Sequence, residues 1–182
     1  MKKRYPRRPQ SQKFKGYYVA PLEMASHTTV AVDREIFPLI SDIINSSKKS
    51  LCLAFFQFTL DEKHLTGLAL KIFSSLKSRK DEGVDIRVVL NRKFSNGFQN
   101  RLNVKTAKLL SVIGIPVVLA SSDSVLHTKM IIADGEKAVL GSMNMTATSL
   151  CQNHEVAVLI RSPLVKTILG PYFEEIWQRS RI

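Results

Sequence analysis

The 182 residues, 45% hydrophobic and 23% charged, suffice for one packed domain and are too apolar for a typical disordered chain. Twenty-seven Lys and Arg against fifteen Asp and Glu give a formal charge of +12, which excludes a charge-indifferent surface and points to polyanions such as nucleic acid, anionic lipid or phosphate esters. Much of that charge is local: Lys2, Lys3, Arg4, Arg7, Arg8, Lys13 and Lys15 all precede the first acid, Glu23. With Pro6, Pro9 and Pro21 they read as a basic N-terminal arm over residues 1–25, leaving 26–182 as the domain. No apolar run is long enough to span a membrane, and Pro21 and Glu23 interrupt what would follow a signal-peptide n-region. Cys52 and Cys151, each in apolar company, read as buried free thiols, so the expected setting is cytoplasmic.

From the arm onward, predicted strands and helices alternate. Thr28 to Val32 reads as a short strand and Arg34 to Ser47 as a helix, with Pro38 in its first turn. Ser50 to Phe58 is a continuous apolar run, as a buried strand requires, and Asp61 can N-cap a helix running to about Lys80. Gly83 closes that helix, and the strand Val84 to Leu90, a helix from Phe98 to Ile113 and the strand Ile115 to Ala120 follow. His127 to Ala133 and Lys137 to Leu140, joined at Asp134-Gly135, read as a hairpin. Glu155 to Ile160 is a last strand, and Ser162 to about Gln178 a closing helix interrupted near Gly170-Pro171. This order predicts an α/β fold with a mixed, largely parallel sheet sandwiched between helices.

One stretch carries chemistry: His127-Thr-Lys129, then Asp134 after four residues, then Gly141-Ser142-Met-Asn144 after six more. Six specified residue types at fixed spacing coincide by chance roughly once in a million chains of average composition. In an extended strand His127 and Lys129 project from one face. An imidazole with a reference pKa of about 6.5 is largely neutral, hence nucleophilic, at pH 7. An adjacent ammonium can hold a phosphate oxygen and offset charge in the transition state, and Ser142 and Asn144 can donate further hydrogen bonds. Gly141 is expected to let the backbone approach the substrate closely.

The pattern resembles the HxK(x)4D(x)6GSxN motif of the phospholipase D superfamily at every specified position, and the resemblance covers about residues 30–180. Within that superfamily the chain is similar to the small single-motif bacterial nucleases, so the resemblance implies a phospholipase D-like half-barrel unit. It also implies a two-step displacement without cofactor or metal. His127 forms a phosphohistidine, while a second histidine protonates the leaving alcohol and then activates water. Glu155 corresponds to the family's acid that orients a catalytic imidazole, and Asp134 and Gly141 to structural supports of the motif, Asp134 holding the hairpin. Where the resembling nucleases commonly show an acid, the strand after Val84 ends in Asn91.

The mechanism needs two histidines, and neither His27, His64 nor His154 has a lysine two residues later. A C2 homodimer bringing two copies of His127 together is the expected solution, with Glu155 acting in its own chain or across the axis. The substrate stays open between nucleic acid and lipid. Arg92, Lys93 and Arg101, helped by Lys105, Lys108, Phe94 and Phe98, suit nucleic acid, although the two lysines also read as solvated helix charge and the aromatics as core. Alternatives are a phospholipase D-type lipid enzyme, or a nucleic-acid-binding module without catalysis. Asp81-Glu82 and Glu174-Glu175 read as exposed helix charge rather than metal ligands.

Overall fold

The computed structural model describes residues 27–60, 67–92, 98–120 and 124–180. The basic arm, Asp61, His64, Lys93 and Phe94 lie outside these residues. The chain runs β1 (His27–Val32), α1 (Ile36–Asn45, after a 3-10 turn at Asp33–Glu35), β2 (Ser50–Phe55), α2 (Gly67–Asp81), β3 (Asp85–Asn91), α3 (Phe98–Val112) and β4 (Val117–Ala120). The hairpin β5 (Lys129–Ala133) and β6 (Lys137–Gly141), a short α4 (Ala147–Cys151), β7 (Val156–Arg161), a π turn at Val165–Leu169 and α5 (Gly170–Arg179) complete it.

The seven strands form one sheet in the order β1-β7-β6-β5-β2-β3-β4. Only β2–β3 and β3–β4 pair in parallel; β1–β7, β7–β6, β6–β5 and β5–β2 are antiparallel. The sheet is mixed, as expected, but the expectation that it is largely parallel is corrected: four of its six pairings are antiparallel. Helical crossovers impose parallel pairing only from β2 to β4. From β5 onward a three-residue turn and a short helical link reverse the chain at each step. β2 is the hinge of this arrangement, with its successor β3 on one side and the returning β5 on the other.

Alternation along the strands splits the core in two. Leu51, Leu53 and Phe55 of β2 face α1, α2 and α3, whose Ile36, Ile40, Ile44, Ile72, Leu76 and Leu110 are buried against them. Cys52 and Ala54 face Val165, Phe173 and Trp177 of the C-terminal helical segment. Helices thus cover both faces, but the second only from β6 across to β4. Beyond it, Val30 and Val32 of β1 and Val156 of β7 are 63%, 54% and 46% exposed. Among the described residues no helix is long and apolar enough to cross a membrane.

Two local expectations change. The closing helix is distorted at Val165–Leu169, ahead of Gly170, because the Gly170 N–H reaches five residues back to the Val165 carbonyl. Pro171, with no N–H to give, then falls in the first turn of α5, where none is needed. Pro38 is accommodated the same way at the start of α1. Cys52 is buried, whereas Cys151, at the end of α4, is exposed: the apolar company is on its neighbour Leu150, which turns inward.

Candidate active site

β5 runs against β2, pairing Lys129 with Phe55, so its start lies at the carboxyl ends of β2 and β3. The end of β6 and the start of β7 reach the same edge, since Gly141 pairs with Ala157. His127, Lys129, Ser142, Asn144 and Glu155 therefore gather where an open α/β sheet offers its crevice, beside the strand at which the order reverses.

His127 itself lies just before β5, in a non-strand segment, so the expected strand start is two residues too early. The pairing geometry still extends that far, because the Phe56 N–H donates to the Thr128 carbonyl at 3.0 Å. His127 is exposed and Lys129 is 8% exposed. The Lys129 Nζ stands 3.2 Å from Nδ1 and 3.0 Å from Nε2 of His127 and donates to the His127 carbonyl at 2.9 Å. Burial pulls the Lys129 pKa below the usual lysine value, against the opposing pull of the Glu155 charge. Phe56 adjoins both side chains: its ring centroid is 5.0 Å from that of His127 and 5.4 Å from the Lys129 Nζ.

Across from this pair, Ser142 donates to Glu155 Oε2 and its oxygen accepts the Val156 N–H at 3.1 Å. Ser149 joins the two remaining groups: its Oγ donates to Glu155 Oε1 at 2.6 Å and accepts the Asn144 N–H at 2.8 Å. Asn153 adds a third donor to Glu155 at 3.2 Å. Partial burial pushes the Glu155 carboxyl up, but these donors and the Lys129 charge outweigh it and hold it below the ordinary value. Within one chain Glu155 is thus bound to Ser142, Ser149 and Asn153 rather than to His127. The buried Asn144 Oδ1 has no hydrogen-bond partner among the described residues.

Asp134 has φ +57 and stands away from the imidazole, its carboxylate accepting N–H groups of Lys48, Lys49 and Ser50. It ties the β5–β6 turn to the start of β2. At Gly141 the backbone is packed tightly against its own fold. A Cβ there would stand 2.5 Å from Met143 Sδ, 2.6 Å from the Val156 carbonyl oxygen and 3.0 Å from Ala157 Cα. The close approach is to β7 and Met143, inside the fold.

Arg92 follows β3 and Arg101 lies on α3, both exposed, as are Lys105 and Lys108 further along α3. Asn91, Asn103, Phe56, Ser149 and Asp33 were not singled out as site residues by sequence reasoning. Asp33, at φ +50, accepts the Glu155 N–H at 2.9 Å and the His154 ring at 3.1 Å, and its own N–H donates to the Glu155 carbonyl at 2.9 Å. The one available signal for Ser149 was Thr146 three residues before it, which N-caps α4 by accepting the Ser149 N–H. Among the described residues no three His, Cys, Asp or Glu form a group that could hold a metal ion.

An exposed imidazole and a buried ammonium thus stand together at the carboxyl edge of a mixed α/β sheet, a combination that suits phosphate ester chemistry. Residues 40–177 match the family described as cardiolipin synthase, PLD-like domain. Phospholipase D Y of Dictyostelium discoideum is 31% identical over 147 residues, covering 76% of this chain and 33% of that protein. Cardiolipin synthase of Listeria welshimeri is 27% identical over 135 residues, covering 74% of this chain and 26% of that one. The chain thus spans about a third or less of these relatives. Among solved structures, the phospholipase D family member Nuc from Salmonella typhimurium has a TM-score of 0.70 at 24% identity, covering 85% of this chain and 97% of that one. NucT from Helicobacter pylori gives 0.66 at 16%, covering 84% and 98%. This chain belongs to the phospholipase D superfamily, a superfamily of phosphodiesterases.

Proposed function

We propose that this chain is a nuclease that cleaves DNA or RNA as a homodimer through a phosphohistidine on His127. The observation that carries the chemistry is the His127–Lys129 pair, with 3.0 Å between Nε2 and Nζ. A neutral His127 nitrogen attacks phosphorus; the N–P bond forms and the P–O bond to the leaving alcohol breaks. The His127 of a second copy gives that oxygen its proton, then takes one from water as the water oxygen attacks phosphorus and the N–P bond breaks. The products are an alcohol and a phosphomonoester, and both imidazoles return to their starting states. Lys129 neutralises the phosphoryl oxygens throughout, and the Asn144 amide Nδ2 donates to the same group.

Two features support the second copy. Each chain has one His-x-Lys pair, and the uncovered apolar face at Val30, Val32 and Val156 begins one residue from Glu155. Replacing Val32 by Glu is expected to give a monomer with activity lost, read by light scattering; a fully active monomer refutes the dimer. The nuclease reading draws on the near-complete overlap with Nuc and NucT and on Arg92 and Arg101 beside the crevice. The family match and the curated relatives favour lipid instead. The deciding assay offers plasmid, single-stranded DNA, RNA and cardiolipin or phosphatidylcholine vesicles, all in EDTA. Cleavage of nucleic acid, abolished in His127→Ala with DNA binding retained, supports the proposal; cleavage of lipid alone overturns it.

A further inference from the structure

His127 is exposed and sits outside regular structure, yet a nucleophile must be held to within a fraction of an ångström of its line of attack. The residues on either side of it are fixed by one ring of hydrogen bonds. Before it, the Leu126 N–H donates to Asn91 Oδ1 at 3.1 Å. After it, the Thr128 carbonyl accepts the Phe56 N–H at 3.0 Å. The Asn103 side chain closes the ring, donating from Nδ2 to both the Asn91 and the Phe56 carbonyls at 2.9 Å while its Oδ1 accepts the Phe58 N–H at 3.0 Å.

Each part of this ring is sheltered. Asn91 is 2% and Asn103 1% exposed, so neither can exchange its partner for water without local opening. Leu126 anchors its own side chain in the second core. Asn103 belongs to a row of buried polar residues on one side of α3: Asn100 donates to the Arg92 carbonyl at 3.4 Å, and Thr106 bonds the Leu60 N–H at 2.8 Å and the Phe58 carbonyl at 2.6 Å. α3 thereby grips the chain leaving β2 and β3 at the edge where the imidazole stands. The Asp33 and Asp134 clasps described above serve Glu155 and the hairpin; neither touches the 126–128 segment.

We infer that Asn91 is a positioning residue for the nucleophile, holding the backbone ahead of His127 through its side-chain oxygen, with Asn103 locking Asn91 and Phe56 together. This rests on His127 being the nucleophile. It also gives the residue that replaces the expected acid a defined duty: what the position must supply is an acceptor oxygen at the Leu126 N–H, and an amide supplies it without a charge.

The test compares Asn91→Leu, which has no acceptor, and Asn91→Ser, whose hydroxyl oxygen ends one bond short of the Leu126 N–H, with Asn91→Asp, which can accept it. It uses the full chain and hydrolysis of bis(p-nitrophenyl) phosphate. Asn91→Leu and Asn91→Ser are expected to lower kcat about 10- to 100-fold with KM changed less than about threefold, and Asn91→Asp to stay within about threefold of the parent in both. Hydrogen exchange supplies the second reading: the Leu126 amide should be protected in the parent and in Asn91→Asp, and exchange at least about tenfold faster in Asn91→Ser. Equal kcat in all variants, equal loss in Asp and Ser, or unchanged Leu126 protection in Asn91→Ser each overturn the inference. Full activity in His127→Ala would overturn the nucleophile reading instead, and the exchange measurement would still judge the ring.

Discussion

Replacing Asp134 by Ala should weaken the fold substantially while leaving the chemistry almost untouched. Its carboxylate accepts the N–H groups of Lys48 at 3.0 Å, Lys49 at 2.7 Å and Ser50 at 3.0 Å. A hydrogen bond to a charged group contributes about 1.5–3 kcal/mol where water cannot replace it. Lys48 and Lys49 are exposed and can rehydrate; Ser50 is half-buried and counts nearly in full. The φ of +57 adds about 1 kcal/mol of strain for Ala, which tolerates that region less well than Asp or Asn. The loss for Asp134→Ala is then about 3 kcal/mol, or about 6–12 °C in Tm for a domain of this size. Asp134→Asn keeps an acceptor oxygen and the backbone tolerance and should lose about 1 kcal/mol. Burial pushes the Asp134 pKa up, but the backbone donors and Lys137 outweigh it and hold it below the ordinary value. Its contribution is therefore complete above about pH 4, where the unfolded chain titrates, and fades as pH falls through the lower folded value. Thermal unfolding against pH reads all of this, and Asp134→Asn should lack that part of the acid limb. A cost for Ala below about 0.5 kcal/mol, or equal costs for Ala and Asn, would refute the reasoning.

Other outcomes follow from the same geometry. Ser149→Ala removes a donor to Glu155 and leaves the Asn144 N–H without its acceptor, so kcat should fall about 10-fold and stability by about 1–3 kcal/mol; unchanged turnover would separate Ser149 from the site. Gly141→Ala forces a Cβ against Met143 and the β7 backbone, costing about 1–3 kcal/mol in denaturant melts, and a neutral result would mean that β7 yields easily. Ellman's reagent should titrate Cys151 in the folded protein and Cys52 only after unfolding, because burial pushes the Cys52 thiol up to about 11; two fast thiols would contradict the packing beneath α5.

The strands and helices were legible because their signals are local: apolar runs for β2 and β3, 3.6-residue spacing for α1, and Gly83 and Gly114 as stops. Strand direction was less so. Whether β5 adds parallel or antiparallel to β2 depends on the link between β4 and β5, which carries no periodicity. The His127, Lys129 and Asn144 set was readable from its spacing because a hairpin converts sequence intervals directly into facing positions. Ser149, Asn91 and Asn103 were not. Their partners lie up to 47 residues away, at Phe56 for Asn103, and a buried asparagine looks the same in sequence as a solvated one. Cys151 misled because composition around a residue does not say which side of a five-residue helix it occupies.

The pairing of β1 with β7 joins residue 27 to residue 161, and the Asp33–Glu155 clasp lies at the other end of the same ladder. During synthesis β1 emerges first and has no neighbour in the sheet until almost all the rest of the domain has been made. Its apolar side is bare throughout that interval, which makes it the segment most open to capture by a chaperone or by a strand of another nascent chain. The clasp on Glu155 closes with the last strand, so the site acquires its acid only when the sheet is complete. A chain that stops short of β7 would carry the imidazole and the lysine on a sheet with neither the acid nor the strand that holds it.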